Sequence, residues 1–118
     1  MVNKMETKAT ISRLIPLTKG GRCDWSETSQ KNQYKLTLGD NVIYIGKSTK
    51  LLDAYEVEIV DSMGNVVTKE QYRTPEDSIE TSVLYSSIEA FLDRKYRKHM
   101  QEISDKLDEL EKSTVVIA

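Results

Sequence analysis

With 118 residues the chain suits a single hydrophobic core, since such cores usually serve about 100 to 150 residues, and a multidomain enzyme is not expected. Counting its five glycines, the apolar share is about 42%, a little under the roughly 45–50% of ordinary globular domains, so the core should be thin. Charged residues make up 31% and nearly cancel to −2, which excludes a strongly basic nucleic-acid binder and a polyanionic disordered tail.

The charge is unevenly placed. Residues 1–50 carry nine Lys/Arg against four Asp/Glu, while 51–118 carry eight against fifteen. Such asymmetry suits head-to-tail attraction between copies or steering of a charged partner. Cys23 is the lone cysteine and has no mate for an internal disulfide, so a reducing compartment is expected. The segment Met1-Val2-Asn3-Lys4-Met5-Glu6 lacks the apolar run of a signal peptide, and no window reaches the ~18 apolar residues of a membrane span. The expected location is the cytoplasm, with no membrane partner.

The chain divides into an amino-terminal segment (1–21), a β-meander (22–73), a long helix (74–112) and a tail (113–118). In the first segment Ile11, Leu14 and Ile15 share one helical face, and Gly20-Gly21 suits a left-handed cap. Pro16 removes a backbone donor and disfavours helix at Ile15, so the segment reads as a kinked helix or an extended stretch.

The meander is expected to hold four or five antiparallel strands. Tyr34, Leu36 and Leu38 alternate with Lys35 and Thr37, then Gly39-Asp40-Asn41 supplies a tight turn. Val42-Ile43-Tyr44-Ile45 is apolar at consecutive positions, which suits a central strand covered on both sides, or one showing an apolar face to a partner. Tyr55, Val57 and Ile59 alternate again, and Asp61-Ser62-Met63-Gly64-Asn65 turns into Val66-Val67. Cys23 and Trp25, two apart, suggest an opening strand with the indole as a core anchor.

Thr74-Pro75-Glu76-Asp77 reads as a helix start, with threonine as cap and proline at the first helical position, although the polar run Ser78–Ser82 allows a regular start nearer Ser82. Leu84, Ile88, Phe91, Leu92, Tyr96, Met100, Ile103, Leu107 and Leu110 then recur at intervals of three and four. The stripe runs for about thirty residues, near 45 Å, whereas a compact chain of this length has a radius of gyration of about 13–14 Å. The helix outruns its own body, so either it breaks or its far end projects and must find another surface for its apolar side chains.

From Tyr96 the steps are 4, 3, 4 and 3, which is heptad phasing over two repeats. Asp93 with Arg97, Glu102 with Lys106 and Asp108 with Lys112 are acid-then-base pairs four apart, of the kind that support an exposed helix. Tyr96, Met100, Ile103, Leu107 and Leu110 are therefore the expected partner-binding residues, in a coiled-coil homodimer or against another protein, with packing of the stripe on the sheet as the alternative. The tail Thr114-Val115-Val116-Ile117-Ala118 suits an edge strand or docking into a neighbour.

A catalytic site is harder to assemble. Gly46-Lys47-Ser48-Thr49 looks like the end of a phosphate loop, but the position five before Gly46 is Asn41, and no helix onset follows. Cys23 and His99 are the only thiol and imidazole, with no third group placed to orient them. One Cys and one His leave half of a zinc ligand set unfilled, and the turn 61–65 lacks the alternating acids of a calcium loop. No cofactor or metal is expected, and an enzyme ranks third among the readings.

The second reading is a nucleic-acid-binding regulator, or a contact with an acidic partner, through Arg94, Lys95, Arg97 and Lys98 beside His99. Lys4, Lys8, Arg13, Lys19 and Arg22 would enlarge that patch if the amino-terminal segment packs near the middle of the long helix. Against it stand the acids that follow at once: Glu102, Asp105, Asp108, Glu109 and Glu111. Leu17-Thr18-Lys19-Gly20-Gly21 leading to Trp25, the meander with its Gly-Asn turn, and Leu84-Tyr85 opening a long helix together resemble small bacterial or phage α+β domains that carry no assigned role. That resemblance implies a microbial accessory protein and transfers no site residue.

Overall fold

The structure, a computed structural model, describes residues 3–73 and 75–117, the last four of these by backbone alone. The architecture is α+β, as the alternating and three-to-four patterns require: an amino-terminal helix, a five-stranded antiparallel meander and a long carboxy-terminal helix.

Helix α1 (Lys4–Lys19) is continuous. Asn3 caps it, its side-chain oxygen accepting from the Glu6 amide at 2.9 Å. Pro16 sits in the last turns on the exposed side, as does Ser12, whose carbonyl loses its helical donor. On the exposed side such a carbonyl can be served by solvent, and the helix continues through the proline instead of becoming extended. The cap falls within the expected Gly20-Gly21 pair. Gly21, not Gly20, takes the left-handed conformation (φ 74°), so that Arg22 N–H reaches the Leu17 carbonyl and Gly21 N–H that of Thr18. Thr7, Ile11, Leu14 and Thr18 form the buried face.

Strands β1 (Ser26–Glu27), β2 (Gln33–Leu38), β3 (Asn41–Lys47), β4 (Tyr55–Val60) and β5 (Val66–Tyr72) pair in sequence order. The opening strand is shorter and later than the Cys23–Trp25 spacing suggested, and only Ser26 and Glu27 pair with β2. Leu38 pairs with Asn41 across Gly39-Asp40, where Gly39 carries the positive φ of 59° that this two-residue turn needs. At the second hairpin the Asp61 carboxylate accepts from the Met63 and Asn65 amides, both at 2.9 Å.

Strand β3 is central, yet it is covered on one face only. Ile43 and Ile45 are buried, while Val42 and Tyr44 are half-buried on a face that no element covers. That open face is polar elsewhere. Lys35, Tyr44, Glu58 and Lys69 align across β2–β5, and Gln71 donates to Glu56 at 2.7 Å. Gly46 stands where β3 passes close to the β2 entry, and a Cβ there would lie 2.7 Å from the Asn32 carbonyl oxygen. The stretch read as the end of a phosphate loop is thus part strand, part turn: the Ser48 hydroxyl accepts from the Lys50 and Leu51 amides, and no helix follows until Pro75.

Helix α2 (Pro75–Ile117) is one uninterrupted helix that starts before Ser82 and packs along α1. The expected Thr74 cap lies outside the described residues, as do the side chains of the tail 114–118, whose backbone through Ile117 continues the helix in place of an edge strand. The core lies between the helix pair and the sheet, joining Ile11 and Leu14, Trp25, Leu36, Ile43, Ile45, Val57, Tyr72, Leu84, Tyr85, Ile88 and Leu92. Among the described side chains, Leu92 is the last buried one of α2.

Candidate interaction surface on the carboxy-terminal helix

Helix α2 has two parts with different chemistry. Through Leu92 the residues Leu84, Tyr85, Ile88 and Leu92 are buried against α1 and the sheet, while Ile79 and Val83 at its side stay exposed. Lys95 marks the boundary, its ammonium 3.0 Å from the Asp24 carboxylate at the entrance to β1. Beyond that point nothing in the body is close enough to cover the helix. The radius of gyration is 18.7 Å and the long axis 68 Å, against widths of 32 and 27 Å. A 43-residue helix is about 64 Å long, so that axis is the helix itself.

The expected partner-binding residues all lie on the projecting part and remain open to solvent: Tyr96 is 45% exposed, Met100 63%, Ile103 51%, Leu107 52% and Leu110 63%. They do not pack on the sheet. Their alignment follows from helical geometry, because steps of four and three keep side chains on one face. Polar residues flank them and bond mostly to one another along the helix. Arg97 reaches Asp93 at 2.8 Å, Gln101 reaches Asp105 at 3.0 Å, and Lys106 turns forward to Glu109 at 3.2 Å instead of back to Glu102. Each is an exposed pair worth about 0.2–0.5 kcal/mol, which keeps the projecting helix wound without covering its apolar face.

The basic cluster is more dispersed than the sequence suggested. Lys95 is engaged by Asp24 and Arg97 by Asp93, while His99 Nδ1 lies 3.5 Å from Glu102. Lys19 and Arg94 line one groove between α1 and α2 with Ser86 and Ala90. Lys4 and Lys8 do not join it. They lie at the other end of α1, where both contact the Asp77 carboxylate, at 2.6 and 2.9 Å, in the first turn of α2. Hydrogen bonds first from Lys4 and then from Lys8 hold the Asp77 carboxyl below its usual range, and the Asp77 contact raises Lys8.

Cys23 is buried in the core with Trp25, and His99 is on the exposed projection, so the lone thiol and imidazole belong to different environments. Among the described residues no three His, Cys, Asp or Glu side chains are grouped to hold a metal, and no helix is long and apolar enough to cross a membrane. A tyrosine cluster escaped the sequence reading. Tyr85 stands between Tyr34 and Tyr55, with ring centroids 5.3 and 5.5 Å away, and the Lys47 ammonium lies 5.3 Å above its ring. Burial pushes the Tyr34 and Tyr85 hydroxyls up, which keeps them neutral to higher pH than an exposed tyrosine. Each of the three appears in the sequence only as an apolar position in its own element. Their meeting depends on how α2 crosses the sheet.

Comparison with family models, curated proteins and solved structures finds no match to this chain.

Proposed function

We propose that the protein is a non-enzymatic interaction module, an adaptor, inhibitor or regulatory accessory protein, that self-associates through the projecting part of α2. One observation carries this reading: Tyr96, Met100, Ile103 and Leu107 lie 45–63% exposed along one face of a helix that has left its own body. Apolar surface in water is costly at about 25 cal/mol per Å², and a seam of alternating three- and four-residue steps is shaped to receive another helix. The scattered engagement of the basic residues by Asp24 and Asp93 weighs against a nucleic-acid backbone as the main target. The resemblance to small microbial α+β domains agrees with an accessory role.

Sedimentation velocity over micromolar concentrations tests the reading. The intact chain should move from monomer towards a larger species as concentration rises. The triple variant Met100→Gln/Ile103→Gln/Leu107→Gln should stay monomeric with an unchanged helical signal. A monomeric intact chain at all concentrations overturns self-association. Binding to duplex or single-stranded nucleic acid that collapses with added salt would favour the rival reading instead.

A further inference from the structure

The projecting helix is electrically bipolar. Residues 94–98 hold four cations and no acid, whereas 102–111 hold five acids and one cation, Lys106. The two clusters are centred about 15 Å apart along the axis. Resting on the self-association proposed above, we infer that the stripe is covered by a second copy of this chain running antiparallel to the first.

Two copies lying parallel and in register would set cations beside cations and acids beside acids. Packed helices are about 8–10 Å apart, close to the Debye length of about 8 Å at physiological ionic strength, so this repulsion is only partly screened. Reversing one copy sets each cationic stretch beside an acidic one. The charges also select a register. The centres of opposite sign coincide when Tyr96 lies beside Leu107 of the second copy and Met100 beside Ile103 of the second copy. Those four residues are 45–63% exposed, and in this register they fill consecutive layers of one apolar seam. Arg94 is then level with Glu109 of the second copy, and Lys98 with Asp105 of the second copy. One level brings Arg97 towards Lys106 of the second copy, but each already has an acid on its own helix, Asp93 and Glu109.

Disulfide trapping of the full-length chain tests the orientation. Tyr96→Cys and Leu107→Cys are made separately, and Cys23, 4% exposed in the core, stays out of the reaction. Mild oxidation should crosslink a mixture of the two variants into a heterodimer, while each variant alone stays uncrosslinked. Self-crosslinking of either variant alone means a parallel pair. That result overturns the antiparallel inference and leaves the interaction module standing. A dimer that crosslinks in neither arrangement overturns the register and the inference with it, and a chain that never dimerises overturns both. A second measurement uses the unmodified chain. The dimer dissociation constant should rise about threefold or more between about 50 and 500 mM NaCl, because salt screens attraction in the antiparallel pair. A constant that falls with salt contradicts the inference.

Discussion

The indole nitrogen of Trp25 donates to the Thr18 hydroxyl at 3.0 Å, and both residues are fully buried. The bond ties the last turn of α1 to the chain that enters the sheet, and it satisfies the one polar atom that the indole carries into the core. Thr18→Val should cost about 1–3 kcal/mol, because the indole N–H is then left buried without an acceptor. Adding Trp25→Phe should cost less than the sum of the two single changes. Urea unfolding followed by far-ultraviolet circular dichroism measures both, and strict additivity would contradict the assignment.

The Asp77 contacts give stability a defined pH window. Lys4 and Lys8 lower the folded pKa of Asp77, so this contribution is present above the unfolded carboxyl value and is lost as pH falls through the folded one. Lys8 is raised, so its share is present below the unfolded lysine value of 10.5 and is lost as pH rises through the folded one. Asp77→Asn should flatten the acid limb of a melting-temperature profile. An unchanged limb would show that the contacts contribute nothing.

Tyr72 contributes to the alkaline limit alongside Tyr34 and Tyr85. Burial, with the nearby acids Glu70, Asp77 and Glu80, pushes its hydroxyl up to about 12 from 10.0. The neutral form is the folded one, so stability is full below pH 10.0 and declines from there towards about 12. Difference absorbance at 295 nm should show several tyrosines that ionise late in the wild type, Tyr34, Tyr72 and Tyr85, and one fewer in Tyr72→Phe.

Gly46→Ala should be among the most damaging glycine changes. The new methyl would meet the Asn32 carbonyl oxygen at 2.7 Å, and the Lys47 amide is bonded to that same oxygen at 3.1 Å, so the β2–β3 junction must open. A loss of about 1–3 kcal/mol is expected. Gly21→Ala meets nothing within 4 Å but keeps φ at 74°, which costs about 1–2 kcal/mol. Thermal melts of the two variants separate crowding from backbone strain, and a Gly46→Ala melt equal to wild type would refute the close approach.

Ile88 and Ile103 share a residue type and a helix but not an environment. Ile88 is wholly buried, so Ile88→Ala should cost about 2–5 kcal/mol. Ile103→Ala should change unfolding by less than about 0.5 kcal/mol in dilute monomer. At high concentration the same change should reduce the rise of melting temperature with protein concentration, since association stabilises whatever it binds. Equal losses for the two variants in dilute solution would show that Ile103 is packed on the body.

Much of this arrangement was legible in the residues. Period-two alternation at 34–38 and 55–59, with turns at Gly39 and Gly64, marks the meander because sheet geometry puts alternate side chains on opposite faces. Comparing helix length with body size left two outcomes for Tyr96–Leu110, a broken helix or a projecting one, and the helix projects. Three features were not legible. Pro16 argues against helix unless its exposed position is known. The consecutive apolar run 42–45 does not distinguish one covered face from two, and Val42 and Tyr44 proved to lie on the uncovered one. The Lys4–Asp77 and Tyr34–Tyr85 contacts join residues more than fifty positions apart, and local patterns carry no record of such meetings.

Those long-range contacts also order events in time. The meander closes hairpin by hairpin as each strand follows its neighbour, but α1 lacks its main partner until α2 arrives at the far side of the chain. On the ribosome, the apolar side of α1 therefore has no α2 to pack on until synthesis has passed Leu92 and the exit tunnel has released it.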